Sequence, residues 1–211
     1  KLKKKNKAIY LLFLMPFVYF ATACFVVWLV KTSGIYTSGS DTMYHVYRGD
    51  YVYNAIKSGN WYPLYDPAWY NGVEILRYWS PFPAYVMAFC QYLAGGSQFG
   101  AYLFYIGGVC FLGACVWPFI GRGFNRPYLG AFIGLLWFFM PNNLCAIFIE
   151  GNLARSLSMI FLPVFIYSVY KYLYNHKLRY IPLMVFTFLL MELCHLGYAG
   201  MVAIAVIIYG I

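Results

Sequence analysis

The sequence contains little charge, and acidic residues are the scarcest of all. Charged residues make up 10% of its 211 positions, with six Asp or Glu against fifteen Lys or Arg, while 63% are hydrophobic. A soluble domain carries roughly 25% charged residues, so this composition excludes a soluble globular protein. A net charge of +9 would favour nucleic acid as the partner of a soluble chain. Here the grouping of the cations favours a lipid bilayer and no nucleic acid.

Common metal and phosphate motifs are also absent. None of the six cysteines belongs to a C-x-x-C pair, so neither a disulfide framework nor a zinc site is indicated. No G-x-x-x-x-G-K-[ST] segment occurs, which excludes a P-loop nucleotide site. The cysteines lie almost entirely in apolar runs and are interpreted as small buried residues.

Long apolar runs make up most of the chain. The run Ala8–Val30 has 23 residues, carries no charge and follows the basic leader KLKKKNK. A signal peptide has an apolar core of only about 7–15 residues, so we interpret this run as an uncleaved membrane anchor. The last run has no polar flank, and we expect the chain to be part of a longer membrane protein. Beyond the span at 8–30, the sequence predicts spans at 99–121, 128–149, 157–174 and 180–196, and the start of another at 197–211.

The apolar segment 82–94 decides the topology. Its 13 residues are too few to cross the hydrocarbon core, so it is predicted to lie along or dip into the outer leaflet. Ten of the basic residues and no acidic residue then fall on the cytoplasmic side, whereas six basic residues would fall there if the segment crossed. The positive-inside rule favours the first arrangement. The predicted fold of 1–211 is one all-α, multi-pass module of the cell membrane, with a cytoplasmic N-terminus and an outer loop at 31–98 containing juxtamembrane helices.

The outer loop carries the most suggestive polar pattern, SGSDTMYHVYRGDYVYNAIKSGNWYP. Ser40 or Asp41 is suited to cap a helix that runs to about residue 58. On that helix Asp41, His45 and Arg48 are spaced i, i+4 and i+7, and therefore share one face. An acid, an imidazole and a guanidinium at a membrane surface favour a site for a phosphate-bearing lipid and a proton transfer. The alternative is the solvated face of an interfacial amphipathic helix.

Four further titratable residues lie in the outer loop and in the last apolar run. Glu192 lies within an apolar run, where an acid costs about 2.5–3.5 kcal/mol, so it is functional or a protonated Glu bonded to a backbone carbonyl. His195 is predicted to lie at the outer end of the same run. Asp50 and Asp66 are interpreted as solvated loop acids, because the stretch YDPAWYNG is typical of turns.

The order of these motifs resembles a known family. The stretch GSDTMYHVYRGDYVYNAIKSGNWYPLYDPAWYNG, followed by SPFPAYVMAFCQYLAGG, is similar to the first outer loop of the GT-C glycosyltransferase superfamily. It most resembles the bacterial membrane branch labelled 6-pyruvoyl-tetrahydropterin-synthase-related, whose loop begins with a G-x-D-x-x-x-H-x-x-R type motif. EGNLARSLSMIFLPVFIYSVYKYL is similar to the second outer-loop motif of that family, and MELCHLGY to the His-bearing outer end of a later span. The matching loop residues are Gly39, Asp41, His45, Arg48, Gly59, Pro63, Asn71, Gly72 and Pro81.

This resemblance implies a GT-C-like N-terminal transmembrane module. It implies transfer of a sugar from a polyprenyl-phosphate carrier to an acceptor on the outer face, with Asp41 as the base or a metal ligand and Glu150 as the second-loop acid. A divalent metal, Mg²⁺ or Mn²⁺, would be held by Asp41 and Glu150. The second loop departs from the family by carrying one acid where a pair is expected. The residues implied to bind phosphate or acceptor are His45, Arg48, Arg155 and His195.

Two functions of other classes stay open at this point. In a transporter or flippase, Glu192 and His195 would line a substrate path near the bilayer midplane. A non-catalytic membrane scaffold would instead use the aromatic loop to bind a partner. The tryptophans of that loop are suited both to sugar rings and to lipid headgroups, so they do not separate these functions.

Overall fold

The structure, a computed structural model, describes residues 2–37 and 39–210, with side chains from residue 13 onward. Lys1 of the leader, Ser38 of the predicted outer loop and Ile211 of the last predicted span lie outside the described residues. The described part of the chain contains nine α-helices: α1 (Leu2–Ser33), α2 (Thr42–Lys57), α3 (Phe82–Leu93), α4 (Gln98–Gly123), α5 (Pro127–Leu136), α6 (Pro141–Leu144), α7 (Leu153–Leu173), α8 (Ile181–Cys194) and α9 (Leu196–Gly210). Three single turns join some of these helices: a 3₁₀ turn at Trp137–Phe139, a π turn at Cys145–Ile149 and a 3₁₀ turn at Leu178–Tyr180.

Four helical segments are long and apolar enough to cross a membrane. They are Phe13–Ser33, Gln98–Gly123, Pro127–Ile149 and Leu153–Leu173. The sequence-based prediction of an all-α, polytopic membrane protein is therefore confirmed. Helix α3 has 12 residues, which give about 18 Å of length at 1.5 Å per residue. Its placement along the outer leaflet, and the bilayer boundaries of α8 and α9, stay predictions.

Small residues bring the membrane-length helices into close contact. A Cβ on Gly121 of α4 would lie 2.6 Å from the Cα of Gly130 in α5, so the two backbones touch at this crossing. The hydroxyl of Tyr19 in α1 donates to the carbonyl of Ala131 at 2.8 Å and is fully buried there. Association through small residues and buried polar contacts is typical of helices in lipid, where the hydrophobic effect between helices is weak.

The loops that follow α1 and precede α7 meet at one end of this bundle, which we call the cleft side. Gly39 lies against the backbone of Glu150 and Gly151, and a Cβ on Gly39 would overlap both residues. The backbone N–H of Asp41 donates to the carbonyl of Glu150 at 3.2 Å. The start of α2 is therefore held in place by a segment more than 100 residues further along the chain.

Replacing Gly151 by Ala tests this contact. Gly151 has φ +69°, and its added Cβ would overlap the Thr42 hydroxyl and lie 2.7 Å from the Thr42 nitrogen. We expect Gly151→Ala to destabilise the protein by about 1–2 kcal/mol through backbone strain and by about 1–3 kcal/mol more through overpacking. The measurement is thermal unfolding of the purified protein in detergent.

Gly34 provides a matched control, because it has φ +68° and nothing within 4 Å of an added Cβ. Gly34→Ala is expected to show the strain effect alone. Equal losses of stability in the two variants would contradict the close contact between the loops.

Candidate functional site

A cleft of about 680 Å³ opens on the cleft side. Its walls come from α2, the irregular segment 69–80, the first turn of α7 and the junction of α8 with α9. Four of the six residues singled out from the sequence line it: Asp41, His45, Arg48 and His195. Side chains from one face of α2 and from the final apolar run therefore line the same cavity.

Asp41 occupies the N-cap position of α2, but its side chain makes no capping hydrogen bond. Its carboxylate accepts from the neighbouring Ser40 hydroxyl at 3.2 Å, while its backbone carbonyl accepts from the N–H of His45 at 3.1 Å. The backbone is therefore fixed and most of the acceptor capacity of the carboxylate is unused. Among the described residues that line the cleft, Asp41 is the only acid.

Arg48 is a buried cation with only 1% of its surface exposed. Its Nη2 donates to the backbone carbonyls of Trp79 and Ser80 at 3.3 Å each, and its Nε has no hydrogen-bond partner. The guanidinium lies 5.4 Å from the ring centre of Tyr44, a distance at which a cation is attracted to an aromatic face. No carboxylate in the described part of the chain forms an ion pair with Arg48.

This burial has an electrostatic consequence. It lowers the pKa of Arg48 from its ordinary value, yet a guanidinium remains charged at neutral pH. A buried charge is costly unless it is paired. Arg48 therefore favours the binding of an anion in the cleft.

His45 is buried beside Arg48 on the same face of α2. Burial, reinforced by the positive charge of Arg48 and by His195, lowers the pKa of His45 to about 3. The ring is therefore neutral at pH 7. It adds a hydrogen-bonding group to the cleft without adding charge.

The pKa of His45 predicts how stability depends on pH. An unfolded His has a pKa of about 6.5, so below that pH the unfolded chain binds a proton that the folded chain does not. Stability is then full above about pH 6.5 and falls as the pH drops towards the folded value. We expect the melting temperature in detergent to fall between pH 7 and 4.5, and to fall less in His45→Gln.

His176, exposed in the turn after α7, supplies the control for this experiment. His176→Gln is expected to follow the wild-type dependence on pH. If His45→Gln and the wild type lost stability in parallel, the buried neutral imidazole would be refuted.

His195 and Asn152 cap two further helices at the cleft. His195 has extended backbone angles (φ −155°, ψ 95°), which separate α8 from α9, and its Nδ1 accepts from the N–H of Tyr198 at 3.0 Å. The Asn152 side chain accepts from the N–H of Arg155 at 2.9 Å, and its Nδ2 lies 3.3 Å from His195 Nε2. Asn152 was missed from the sequence, although an Asn directly before a helical run is a recognisable N-cap signal.

Three helices therefore begin at the walls of the cleft, namely α2, α7 and α9. The N-terminal end of a helix carries a partial positive charge and unpaired N–H groups, so it favours anions. Together with Arg48, these ends give the cleft a positive character around the single carboxylate of Asp41. The arrangement is suited to hold a phosphate close to a base.

The structure does not bring Glu150 and Arg155 to the cleft lining. They form an ion pair of 2.7 Å, and Glu150 Oε1 also accepts from Cys145 Sγ at 3.3 Å. The contribution of Glu150 near the site is its backbone carbonyl, which accepts from the Asp41 N–H. Glu150 therefore helps to fix the backbone position of Asp41.

These positions bear on the metal implied by the resemblance. Among the described residues no group of three or more His, Cys, Asp and Glu side chains is placed to hold a metal ion. Mg²⁺ and similar cations prefer oxygen ligands, whereas the described lining of the cleft offers one carboxylate and also contains a buried guanidinium. The side chains of the cleft do not fit a tightly held divalent metal.

The interpretation of Asp66 as a solvated loop acid is wrong, since only 2% of its surface is exposed. Its carboxylate accepts from the Tyr47 hydroxyl and from the N–H of Ala68. Asp50 is half-buried and accepts from Gln91 Nε2 at 2.7 Å. Both acids have structural partners that the local turn pattern does not reveal.

Four membrane-length helices with a polar cleft at one end define a polytopic integral membrane protein. Residues 76–211, more than half of the chain, match a family model described as "6-pyruvoyl-tetrahydropterin synthase related domain; membrane protein". The chain belongs to this family of membrane proteins. The matched part includes Glu150, Asn152 and His195, whereas Asp41 and Arg48 precede it. No curated protein and no solved structure matches the chain.

Proposed function

We propose that this protein is a membrane glycosyltransferase of the GT-C type, which binds a polyprenyl-phosphate-linked sugar in the cleft and transfers the sugar to an acceptor on the outer face. The observation that carries the proposal is Arg48, a buried cation in an open cleft. Among the described residues Arg48 has no carboxylate partner, and the cleft lining contains one acid, Asp41. An anionic ligand would neutralise this cation, and Asp41 supplies a base in the same cleft.

The phosphate of the donor is placed at Arg48 in this proposal. Hydrogen bonds from a guanidinium to a phosphate are charge-assisted and about twice as strong as neutral ones. The N-terminal ends of α7 and α9, which also line the cleft, add the positive ends of two helix dipoles. A cleft of about 680 Å³ is within the usual range for small-molecule sites. The polyprenyl tail stays in the bilayer, because the cleft lies at the end of the membrane-length helices.

The reaction then needs one proton transfer and one displacement. Asp41 accepts a proton from the nucleophilic group of the acceptor. The atom that loses this proton forms the new bond to the anomeric carbon of the sugar. The bond between the anomeric carbon and the phosphate oxygen breaks, and its electron pair stays on the polyprenyl phosphate. Arg48 and the helix N-termini stabilise the negative charge that develops there. Neutral His45 and His195 provide hydrogen bonds to the phosphate or the acceptor.

A transfer assay separates this proposal from its alternatives. The intact protein in membrane vesicles is given a polyprenyl phosphate carrying a radiolabelled hexose, together with a cell-envelope fraction as the source of acceptors. A glycosyltransferase moves the label out of the polyprenyl lipid and into another product. A flippase moves the intact labelled lipid across the bilayer, and a scaffold does neither; either result would refute the proposal.

A further inference from the structure

The wall of the cleft next to Arg48 is aromatic. Tyr70, Tyr78 and Trp79 all line the cleft and are 85%, 67% and 49% exposed. Large aromatic side chains contribute most to stability when they are buried. These three rings are instead exposed in the cleft that contains the buried cation. We call these three residues the aromatic platform.

A network of hydrogen bonds and ring contacts holds the turn that carries Tyr70 in place. Asp66 and Val73 form a bridge with two backbone hydrogen bonds of 2.9 Å. The Asp66 carboxylate is fixed by Tyr47 and by the N–H of Ala68. The ring of Trp69 packs edge-on against Tyr47 with 4.5 Å between ring centres. The segment that carries Tyr70 is therefore a braced turn.

Tyr70 is placed at the tip of that turn in a left-handed conformation. Its φ is +49° and that of Asn71 is +64°, while the N–H of Gly72 donates to the carbonyl of Trp69 at 2.7 Å. Turns with two successive positive φ values favour Asn, Asp and Gly at their central positions. A bulky residue there is strained. The backbone of Tyr70 is strained, and its ring makes few contacts with the protein. Together these features indicate that the ring serves to contact a ligand.

The position of Trp79 identifies the part of the ligand that the platform meets. The Arg48 guanidinium lies 5.9 Å from the ring centre of Trp79 and donates to the Trp79 carbonyl. In a polyprenyl-phosphate sugar, the sugar is bonded directly to the phosphate. The polyprenyl chain is bonded to the other side of the same phosphate, but it stays in the bilayer. A phosphate held by Arg48 therefore leaves the sugar as the group that meets the platform inside the cleft.

We propose that Tyr70, Tyr78 and Trp79 form a stacking subsite for the sugar ring of the lipid-linked donor, an inference that rests on the proposed function. The platform then distinguishes a sugar-bearing polyprenyl phosphate from the bare carrier lipid, which is the product of transfer. After transfer, the polyprenyl phosphate product no longer has a sugar to stack on the platform. The protein therefore binds this product more weakly than the donor.

The test compares two probes, a polyprenyl phosphate and the same lipid carrying a hexose. Dissociation constants are measured for the intact protein in detergent as the wild type and as Tyr70→Asn. Asn adopts the left-handed conformation readily, so this variant is expected to unfold at the same temperature as the wild type or higher. We expect the wild type to prefer the sugar-bearing lipid by about tenfold, the upper range for one aromatic contact, and Tyr70→Asn to lose most of that preference.

Trp61→Ala is the matched control. Trp61 is an exposed aromatic residue of the same loop that does not line the cleft, so its removal is expected to leave both dissociation constants unchanged. If the wild type binds both lipids equally, or if Tyr70→Asn keeps the wild-type preference, the stacking subsite is refuted and the phosphate site stands. If the wild type binds neither lipid, the proposed function fails and the subsite fails with it.

Discussion

Asp41→Asn is expected to reduce sugar transfer by about 100-fold or more, because it removes the base that accepts the proton of the acceptor. The amide keeps the size of the side chain. The Asp41 carboxylate makes no capping bond to α2, so the folded state loses little, and the melting temperature is expected to stay close to that of the wild type. The measurement pairs the transfer rate with thermal unfolding of the same preparation.

Asp50→Asn is the control for this prediction. Asp50 lies on the same helix but outside the cleft lining, where it accepts from Gln91. Its replacement is expected to leave the transfer rate within several-fold of the wild type. Wild-type transfer by Asp41→Asn would show that the base is another group, and the catalytic role of Asp41 would have to be abandoned.

Arg48→Met is expected to weaken binding of the phosphate-bearing lipid by about 100-fold, the effect of removing one partner from a buried, hydrogen-bonded charge pair. The same change removes a buried charge that has no carboxylate partner in the described part of the chain. Removing an unpaired buried charge relieves its desolvation cost, which offsets the loss of the two hydrogen bonds from Arg48 to the backbone carbonyls. We therefore expect the melting temperature without lipid to stay constant or rise while affinity is lost.

Arg155→Met gives the opposite pattern. This cation is paired with Glu150 and does not line the cleft, so its removal is expected to lower stability and to leave lipid affinity within several-fold. Similar affinity losses in Arg48→Met and Arg155→Met would mean that general positive charge, and not the buried guanidinium, attracts the lipid.

The local features of the fold could be predicted from the sequence. Apolar runs long enough to span a bilayer appear as the membrane-length helices, because in lipid a helix satisfies its own backbone hydrogen bonds. The face shared by Asp41, His45 and Arg48 follows from helical periodicity alone. All three residues lie on one wall of the cleft.

The features that depend on distant contacts could not be predicted in the same way. The Glu150 carboxylate pairs with Arg155 while its carbonyl accepts from the Ser40 hydroxyl, 110 residues away. The Asp66 carboxylate is buried and accepts from the hydroxyl of Tyr47, 19 residues earlier in the chain. The left-handed conformation of Tyr70 also runs against its residue type. Each of these depends on tertiary packing, which leaves no periodic pattern in the sequence.

Site-specific photocrosslinking tests the central claim most directly. A photoreactive amino acid replaces Tyr78 in the cleft or, as the control, the exposed Tyr128 in the first turn of α5. The intact protein is then irradiated with a radiolabelled polyprenyl-phosphate hexose. We expect the label to attach at position 78, to be displaced by excess unlabelled lipid and to be lost when Arg48→Met is added. Labelling at position 128 alone, or labelling at position 78 that is insensitive to Arg48→Met, would contradict a phosphate-lipid site in the cleft.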